Sequence, residues 1–297
     1  MKHRASIFVE EAAILSHEAC PGEQYILRLQ APRTAARARA GAFVHLQCDA
    51  LLPMRRPLSI MRADAGAGWI ELLYRVVGAG TRRLAQRRPG ERLSVLGPIG
   101  RPFTLHDSHP RPLLIGGGVG IPPMIFLAQE IHQKNHRKLP GRTQPWHPLL
   151  LAGSETPFPF KPRPSQILIP SLPPEVIAAI PLMEDWGIPS RLASGQGFPG
   201  CHDGYVTELA RLWLAALDET ALAEVEIFAC GPHPMLAACA RLAREFGRPC
   251  QVSLEEFMAC AVGGCAGCTV AVRTPRGPAM QRVCVDGPVF DAETVFR

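Results

Sequence analysis

Four cysteines carry the strongest chemical signal in this chain. Cys260-Ala261-Val262-Gly263-Gly264-Cys265-Ala266-Gly267-Cys268 spaces three of them as C-x4-C-x2-C, and Cys284 stands further on. That spacing is the one used by plant-type [2Fe–2S] sites, which take their last thiolate from later in the chain. Gly263, Gly264 and Gly267, with small Ala261 and Ala266, let the backbone curl tightly and point N–H groups at inorganic sulfides. Structural zinc is the competing reading, but zinc held by four cysteines usually uses paired C-x2-C elements, and Cys284 is unpaired in sequence. Of the ten cysteines, Cys20, Cys48, Cys201 and Cys239 read as packing or surface thiols, and Cys250 reads as a non-ligand.

Two further segments suggest nucleotide chemistry. Gly116-Gly117-Gly118-Val119-Gly120 follows the apolar strand Pro112–Ile115 and precedes a helix. A glycine turn there directs free N–H groups and the positive helix end at a phosphate, and Pro122 or Pro123 suits a first helical turn. The segment is not a strict G-x-G-x-x-G, and a tight turn without a ligand explains it equally well. Val225–Ala229 reads as a strand ending in Cys230-Gly231-Pro232. Ligands of open parallel sheets lie beyond such strand ends, so the Cys230 thiol has a place beside a nicotinamide ring. A small buried residue is the plainer reading of it.

Earlier in the chain, Arg56-Pro57-Leu58-Ser59 offers a guanidinium suited to pyrophosphate and a hydroxyl that can reach a flavin edge. Leu73-Tyr74-Arg75 and Gly78-Ala79-Gly80-Thr81 follow. Each is short enough to be an ordinary strand or turn. Their order carries the weight.

The elements that must position these residues change character along the chain. Short apolar runs at 24–30, 42–47, 56–61, 69–77 and 92–96, punctuated by Pro and Gly, predict a small antiparallel barrel over residues 1–108. From 109 to 247, strands at 112–115, 149–152 and 226–229 alternate with helical patterns at 122–133, 205–217 and 234–246. That alternation predicts an α/β domain with a parallel sheet. Within it, about 134–200 is rich in proline, with seven prolines in Pro157–Pro174, and reads as an irregular insertion at the sheet edge. Residues 248–297 form a short cysteine- and glycine-rich module for which a cofactor is the natural staple. The fold class is thus multi-domain.

Composition narrows the function classes. Hydrophobic residues are 47% and charged ones 20%, with 32 basic against 26 acidic side chains for a net +6. That surplus is too mild to argue for nucleic acid. No apolar run approaches the ~18 residues of a membrane span, and Met1–Glu11 lacks the pattern of a signal peptide. The expectation is a cytoplasmic protein without membrane insertion, in which clustered cysteines serve metal or redox chemistry.

Taken together, these residues resemble the ferredoxin–NADP reductase superfamily, and within it the electron-transfer subunits of NAD-dependent (type B) dihydroorotate dehydrogenases. The tail is the most specific part: Cys250 through Glu256, the cysteine cluster, then Cys284-Val285-Asp286-Gly287-Pro288-Val289-Phe290. The resemblance implies FAD held by Arg56, Pro57, Leu58, Ser59, Leu73, Tyr74, Arg75, Gly80 and Thr81. It implies NAD(H) at Gly116, Gly117, Gly118, Gly120, Cys230, Gly231 and Pro232, with Cys230 as the catalytic contact, and a [2Fe–2S] cluster on Cys260, Cys265, Cys268 and Cys284. It further implies an FMN-containing catalytic subunit in a heterotetramer, with electrons shuttled between that flavoprotein and NAD during pyrimidine biosynthesis. Two features depart from the pattern. Leu58 replaces an aromatic residue found in many reductases, and the proline-rich stretch is longer than the family needs. Reductase subunits of hydrogenases, sulfite reductases or ferredoxin–NADP oxidoreductases share the architecture, and a zinc-stabilised nucleotide-sensing module is the non-enzymatic alternative.

Overall fold

The computed structural model describes residues 6–137 and 144–296. Part of the N-terminal stretch and residues 138–143 of the proline-rich segment lie outside the described residues. Six strands close an antiparallel barrel in the order β1-β2-β5-β4-β3-β6. They are β1 (Phe8–Cys20), β2 (Gln24–Gln30), β3 (Phe43–Leu46), β4 (Arg56–Asp64), β5 (Trp69–Arg75) and β6 (Arg92–Ile99). Alternating residues such as Leu27, Leu29, Ile60, Ile70 and Leu72 fill the interior. Short helices α1 (Pro32–Ala35) and α2 (Ala79–Leu84) interrupt the strand succession after β2 and after β5.

β1 was not legible as a strand, because Glu10 and Glu11 interrupt its alternation. It closes the barrel by pairing with β6 over Phe8–Ala13 and with β2 over Ala13–Cys20.

After the barrel come β7 (Arg111–Gly117), α3 (Ile121–His136) and β8 (Leu149–Gly153). The proline-rich segment follows, where β9 (Arg163–Pro164) pairs with β10 (Ala178–Ala179) ahead of α4 (Pro181–Asp185). It is irregular but packed: Phe158 is buried and stacks on Phe160 with ring centroids 5.5 Å apart. Then come β11 (Ser190–Ala193), α5 (Val206–Ala215), α6 (Glu219–Ala223), β12 (Val225–Cys230), α7 (His233–Phe246) and β13 (Cys250–Ser253). Hairpin β14 (Thr269–Thr274) and β15 (Gly277–Arg282), α8 (Val283–Asp286), β16 (Val289–Asp291) and α9 (Ala292–Val295) make up the tail.

The second sheet has the order β11-β8-β7-β12-β13-β16. Its first five strands are parallel and β16 is antiparallel. Both faces are covered, which is why its strands read as continuous apolar runs. Leu113, Ile115, Ile227 and Ala229 pack with Leu209 and Leu236 of the helices on one face. Leu114, Leu150 and Phe228 pack with α3 and barrel residues on the other. The Gln129 amide clamps α3 to β4, donating to the Ala63 carbonyl at 2.9 Å and accepting from the Ala63 N–H at 3.3 Å. The cysteine-rich tail begins and ends as strands of this sheet, so the loop between them is anchored at both ends.

Candidate functional site

The cysteine loop leaves β13 and returns through β14. Its backbone is bent hard: Ala261 and Ala266 take φ of 55° and 54°, and Gly263 takes 81°, the left-handed region that side chains disfavour. The bend turns N–H groups onto sulfur. Cys265 N–H donates to Cys260 Sγ at 3.3 Å, and Gly267 N–H donates to Cys265 Sγ at 3.4 Å. A Cβ on Gly267 would lie 3.5 Å from Cys265 Sγ and one on Gly264 would lie 4.0 Å from Cys260 Sγ, so both glycines sit directly beside the thiols.

Cys284 arrives on α8, drawn in by a Val283 N–H to Cys268 carbonyl bond of 2.9 Å. The Arg282 guanidinium ties this arm to the loop by donating to the Gly263 carbonyl at 2.9 Å. The Cys260 thiol interacts with that of Cys265, and the Cys284 thiol with those of Cys268 and Cys260. Burial works to raise the Cys260 thiol, but the N–H groups of Cys265, Val262 and Gly264 and the Cys265 side chain together leave it lowered to about 7. Burial, then neighbouring Cys268, pushes Cys284 up to about 12. A bound cation would favour the thiolate at Cys284 as well.

Four cysteines at this spacing, with backbone N–H groups aimed at their sulfurs, are a donor set that fits a [2Fe–2S] cluster.

In the barrel, the predicted flavin residues line a gap. β4 and β5 pair from Asp64↔Trp69 as far as Ile60↔Leu72. Beyond that point Arg56–Ser59 pair with β3, and Leu73–Arg75 pair with β2. The strands have parted between them. Arg56, Pro57, Leu58 and Ser59 are all half-buried on one wall. On the other, Leu73 is buried and Arg75 is exposed. Tyr74 is buried too, stacked on Tyr25 at 5.5 Å with its hydroxyl 2.8 Å from His17 Nε2.

Arg56 is held over the start of α2. Its Nη1 donates to the carbonyls of Met54 at 2.8 Å and Arg55 at 3.1 Å. A Cβ on Gly80 would lie 2.9 Å from Arg56 Nε, so the guanidinium rests on the bare backbone there. Thr81 Oγ1 accepts from the N–H groups of Val77 and Gly78 at 3.0 and 3.1 Å and fixes the turn.

The glycine turn and the Cys230 segment meet at the carboxyl edge of the parallel sheet, where Cys230 pairs in register with Gly116. A Cβ on Gly120 would run into the Cys230 carbonyl, and one on Gly117 would strike Met235 and lie 3.2 Å from Pro232 Cδ. Gly118, at φ 53°, faces open space. Cys230 itself is fully buried, and burial, then Glu255, raises its thiol well above the ordinary value. It stays a neutral thiol beneath the turn.

Residues 255–296 match the family described as the iron–sulfur cluster binding domain of dihydroorotate dehydrogenase B. The chain is 32% identical over 292 residues to the dihydroorotate dehydrogenase B (NAD(+)) electron transfer subunit of Geobacillus sp. (strain WCH70), covering 96% of this chain and 98% of that one. The subunit of the same name from Caldanaerobacter subterraneus subsp. tengcongensis is 30% identical, again over 96% and 98%. The chain belongs to this electron transfer subunit family. Among solved structures, an NADH-dependent reduced ferredoxin–NADP oxidoreductase matches with a TM-score of 0.73 at 25% identity, over 96% of this chain and 90% of that one. The ferredoxin reductase of carbazole 1,9a-dioxygenase shares the fold, at a TM-score of 0.60 over 82% and 67%. As a member of its family the chain is a flavin and iron–sulfur oxidoreductase subunit, with FAD, a [2Fe–2S] cluster and NAD as its electron carriers.

One residue of this region escaped sequence reasoning. Glu255 lines a cavity of about 430 Å³ together with Gly231, Pro232, His233 and, from the tail hairpin, Val270 and Ala271. Its side chain is exposed towards that cavity, and desolvation there raises its carboxyl. A glutamate in a Glu255-Glu256 pair offers no sequence signal for such a position.

Proposed function

We propose that this chain carries electrons between the FMN-containing catalytic subunit of a dihydroorotate-oxidising complex and NAD(H), serving pyrimidine synthesis in the cytoplasm. The cysteine loop carries the reading, since its backbone turns the N–H groups of Cys265 and Gly267 onto the sulfurs of Cys260 and Cys265 within the stretch 255–296 that matches the cluster-binding family. When bound, FAD exchanges electrons singly with such a cluster and in pairs with a nicotinamide.

The chain's own part is to hold and orient. The β4/β5 gap takes FAD, with Arg56, Pro57, Leu58 and Ser59 on one wall and Leu73, Tyr74 and Arg75 on the other. Arg56, Gly80 and Thr81 form the pyrophosphate end, where a fixed guanidinium and free helix N–H groups both favour negative charge. NAD(H) is taken at Gly116, Gly117, Gly118, Gly120, Gly231 and Pro232, with Cys230 as the floor of that site. The units 1–108, 109–247 and 248–297 divide these tasks.

Cys265 is exposed, and Phe257 nearby in sequence is 94% exposed. Val262 of the loop itself is 51% exposed, and we place the catalytic subunit on this face, in a heterotetramer. No helix among the described residues is long and apolar enough to cross a membrane, and the reading needs neither membrane insertion nor nucleic acid.

Cys265→Ser tests the assignment. It should abolish electron transfer to the catalytic subunit while NADH oxidation by an artificial acceptor persists. Loss of both in a folded, FAD-loaded protein would overturn it.

A further inference from the structure

We propose that His106, His109 and Glu226 form a binding site for a divalent transition-metal ion of the zinc class, independent of the cysteine loop. Glu226 starts the argument. It is 2% exposed on β12, a strand whose other residues are Val225, Ile227, Phe228, Ala229 and Cys230. A carboxylate buried among apolar side chains is costly unless a positive charge compensates it. The partners it meets are the Gln251 amide, donating from Nε2 at 2.7 Å, and His106 Nδ1, at 2.9 and 3.1 Å from its two oxygens. Gln251 is neutral, and a histidine supplies charge only in its protonated form. A divalent ion supplies it with the imidazoles neutral.

The second histidine is brought in by a turn. His106-Asp107-Ser108-His109 closes with the His109 N–H donating to the His106 carbonyl at 3.1 Å, the i to i+3 bond of a β-turn. The turn sets the two rings edge to face with centroids 6.4 Å apart. Ser108 Oγ lies 3.1 Å from His109 Nδ1 and steadies that ring. One ligand atom from each of His106, His109 and Glu226 then lies within 4.8 Å of the others.

An ion asks for a small rearrangement of the trio. Nitrogen and oxygen ligands about 2.0–2.1 Å from tetrahedral zinc stand about 3.3 Å apart. The His106 to Glu226 separation of 2.9 Å must open by a few tenths of an ångström, and His109 must close in, which an exposed turn permits. Two imidazoles and one carboxylate are a donor set for zinc and its neighbours rather than for calcium or magnesium. Water completes the coordination.

Position gives the site its role. Glu226 precedes Cys230 by four residues, about 13 Å along the strand, so the trio lies at the end of the sheet opposite the nucleotide edge. The two histidines belong to the linker between β6 and β7. An ion there would staple the barrel-to-sheet connection to a central strand, fixing the linker without touching a cofactor.

The test is a titration of zinc chloride into the FAD- and cluster-loaded chain, with X-ray absorption at the zinc edge. One equivalent should bind with a shell of nitrogen and oxygen at about 2.0–2.1 Å and raise the thermal unfolding midpoint. His109→Ala should weaken zinc binding by at least ~10-fold and remove the rise in midpoint, with NADH oxidation by an artificial acceptor unchanged. Failure of the wild-type chain to bind, a sulfur shell at about 2.3 Å, or equal binding by His109→Ala would each overturn the proposal.

Discussion

Gly120 lies flat against the carbonyl of Cys230, so close that a single methyl group on the glycine would collide with it. This contact joins the turn after β7 to the end of β12 and creates the carboxyl-edge site from two distant segments. Packed interiors have no slack for an added carbon.

Gly120→Ala should therefore displace the turn or the strand end. The expected result is a fall of at least ~10-fold in kcat/KM for NADH, mainly through KM, since small misplacements in a binding site are amplified in rate. FAD and cluster content should be retained. Steady-state NADH oxidation with ferricyanide, alongside cofactor analysis, checks both halves.

Arg56 reaches the first turn of α2 because Gly80 has no side chain. Losing a charged hydrogen bond to a phosphate costs about 1.5–3 kcal/mol, so Arg56→Ala should weaken FAD binding by roughly 10- to 100-fold. Fluorescence titration of the deflavinated chain measures it. Gly80→Ala should act in the same direction, by pushing the guanidinium off its seat.

Cys250 and Cys284 are both buried thiols whose substitution by serine should have opposite consequences. Cys250 sits inside β13, and burial raises its thiol well above the ordinary value. Cys250→Ser should cost about 1–3 kcal/mol of stability through the buried hydroxyl while iron and acid-labile sulfide stay at wild-type levels. Cys284→Ser should lose the cluster. Urea unfolding and metal–sulfide analysis separate the two.

His45 is 1% exposed on β3, and burial, then the Arg55 guanidinium, pushes it below its ordinary value of 6.5. The unfolded chain then takes up this proton before the folded chain does. Stability is full above about pH 6.5 and falls as pH drops from there towards the lowered folded value, by at most ~1.4 kcal/mol per pH unit. Urea unfolding at pH 7.5 and 5.5 should show this loss, and His45→Gln should reduce it.

What could be read from residue order alone was whatever short stretches of chain decide for themselves. The C-x4-C-x2-C spacing, the glycines that let a backbone curl around sulfur, the glycine turn ahead of α3 and the apolar runs of β7 and β12 are local facts. So are the helices: α3 runs over Ile121–His136 and α7 over His233–Phe246, within a few residues of their patterns.

Tertiary structure alone decided which distant pieces meet. It paired Cys284 with Cys268, parted β4 from β5 between the two flavin segments, pressed Gly120 on Cys230 and wove both ends of the cysteine-rich tail into the parallel sheet. It also recruited Phe8–Cys20 as the strand that closes the barrel, and set His106 against a buried Glu226. Each of these depends on strand register and on loops closing over long separations. Such contacts are selected by the packing of the whole core, and no window of neighbouring residues contains them.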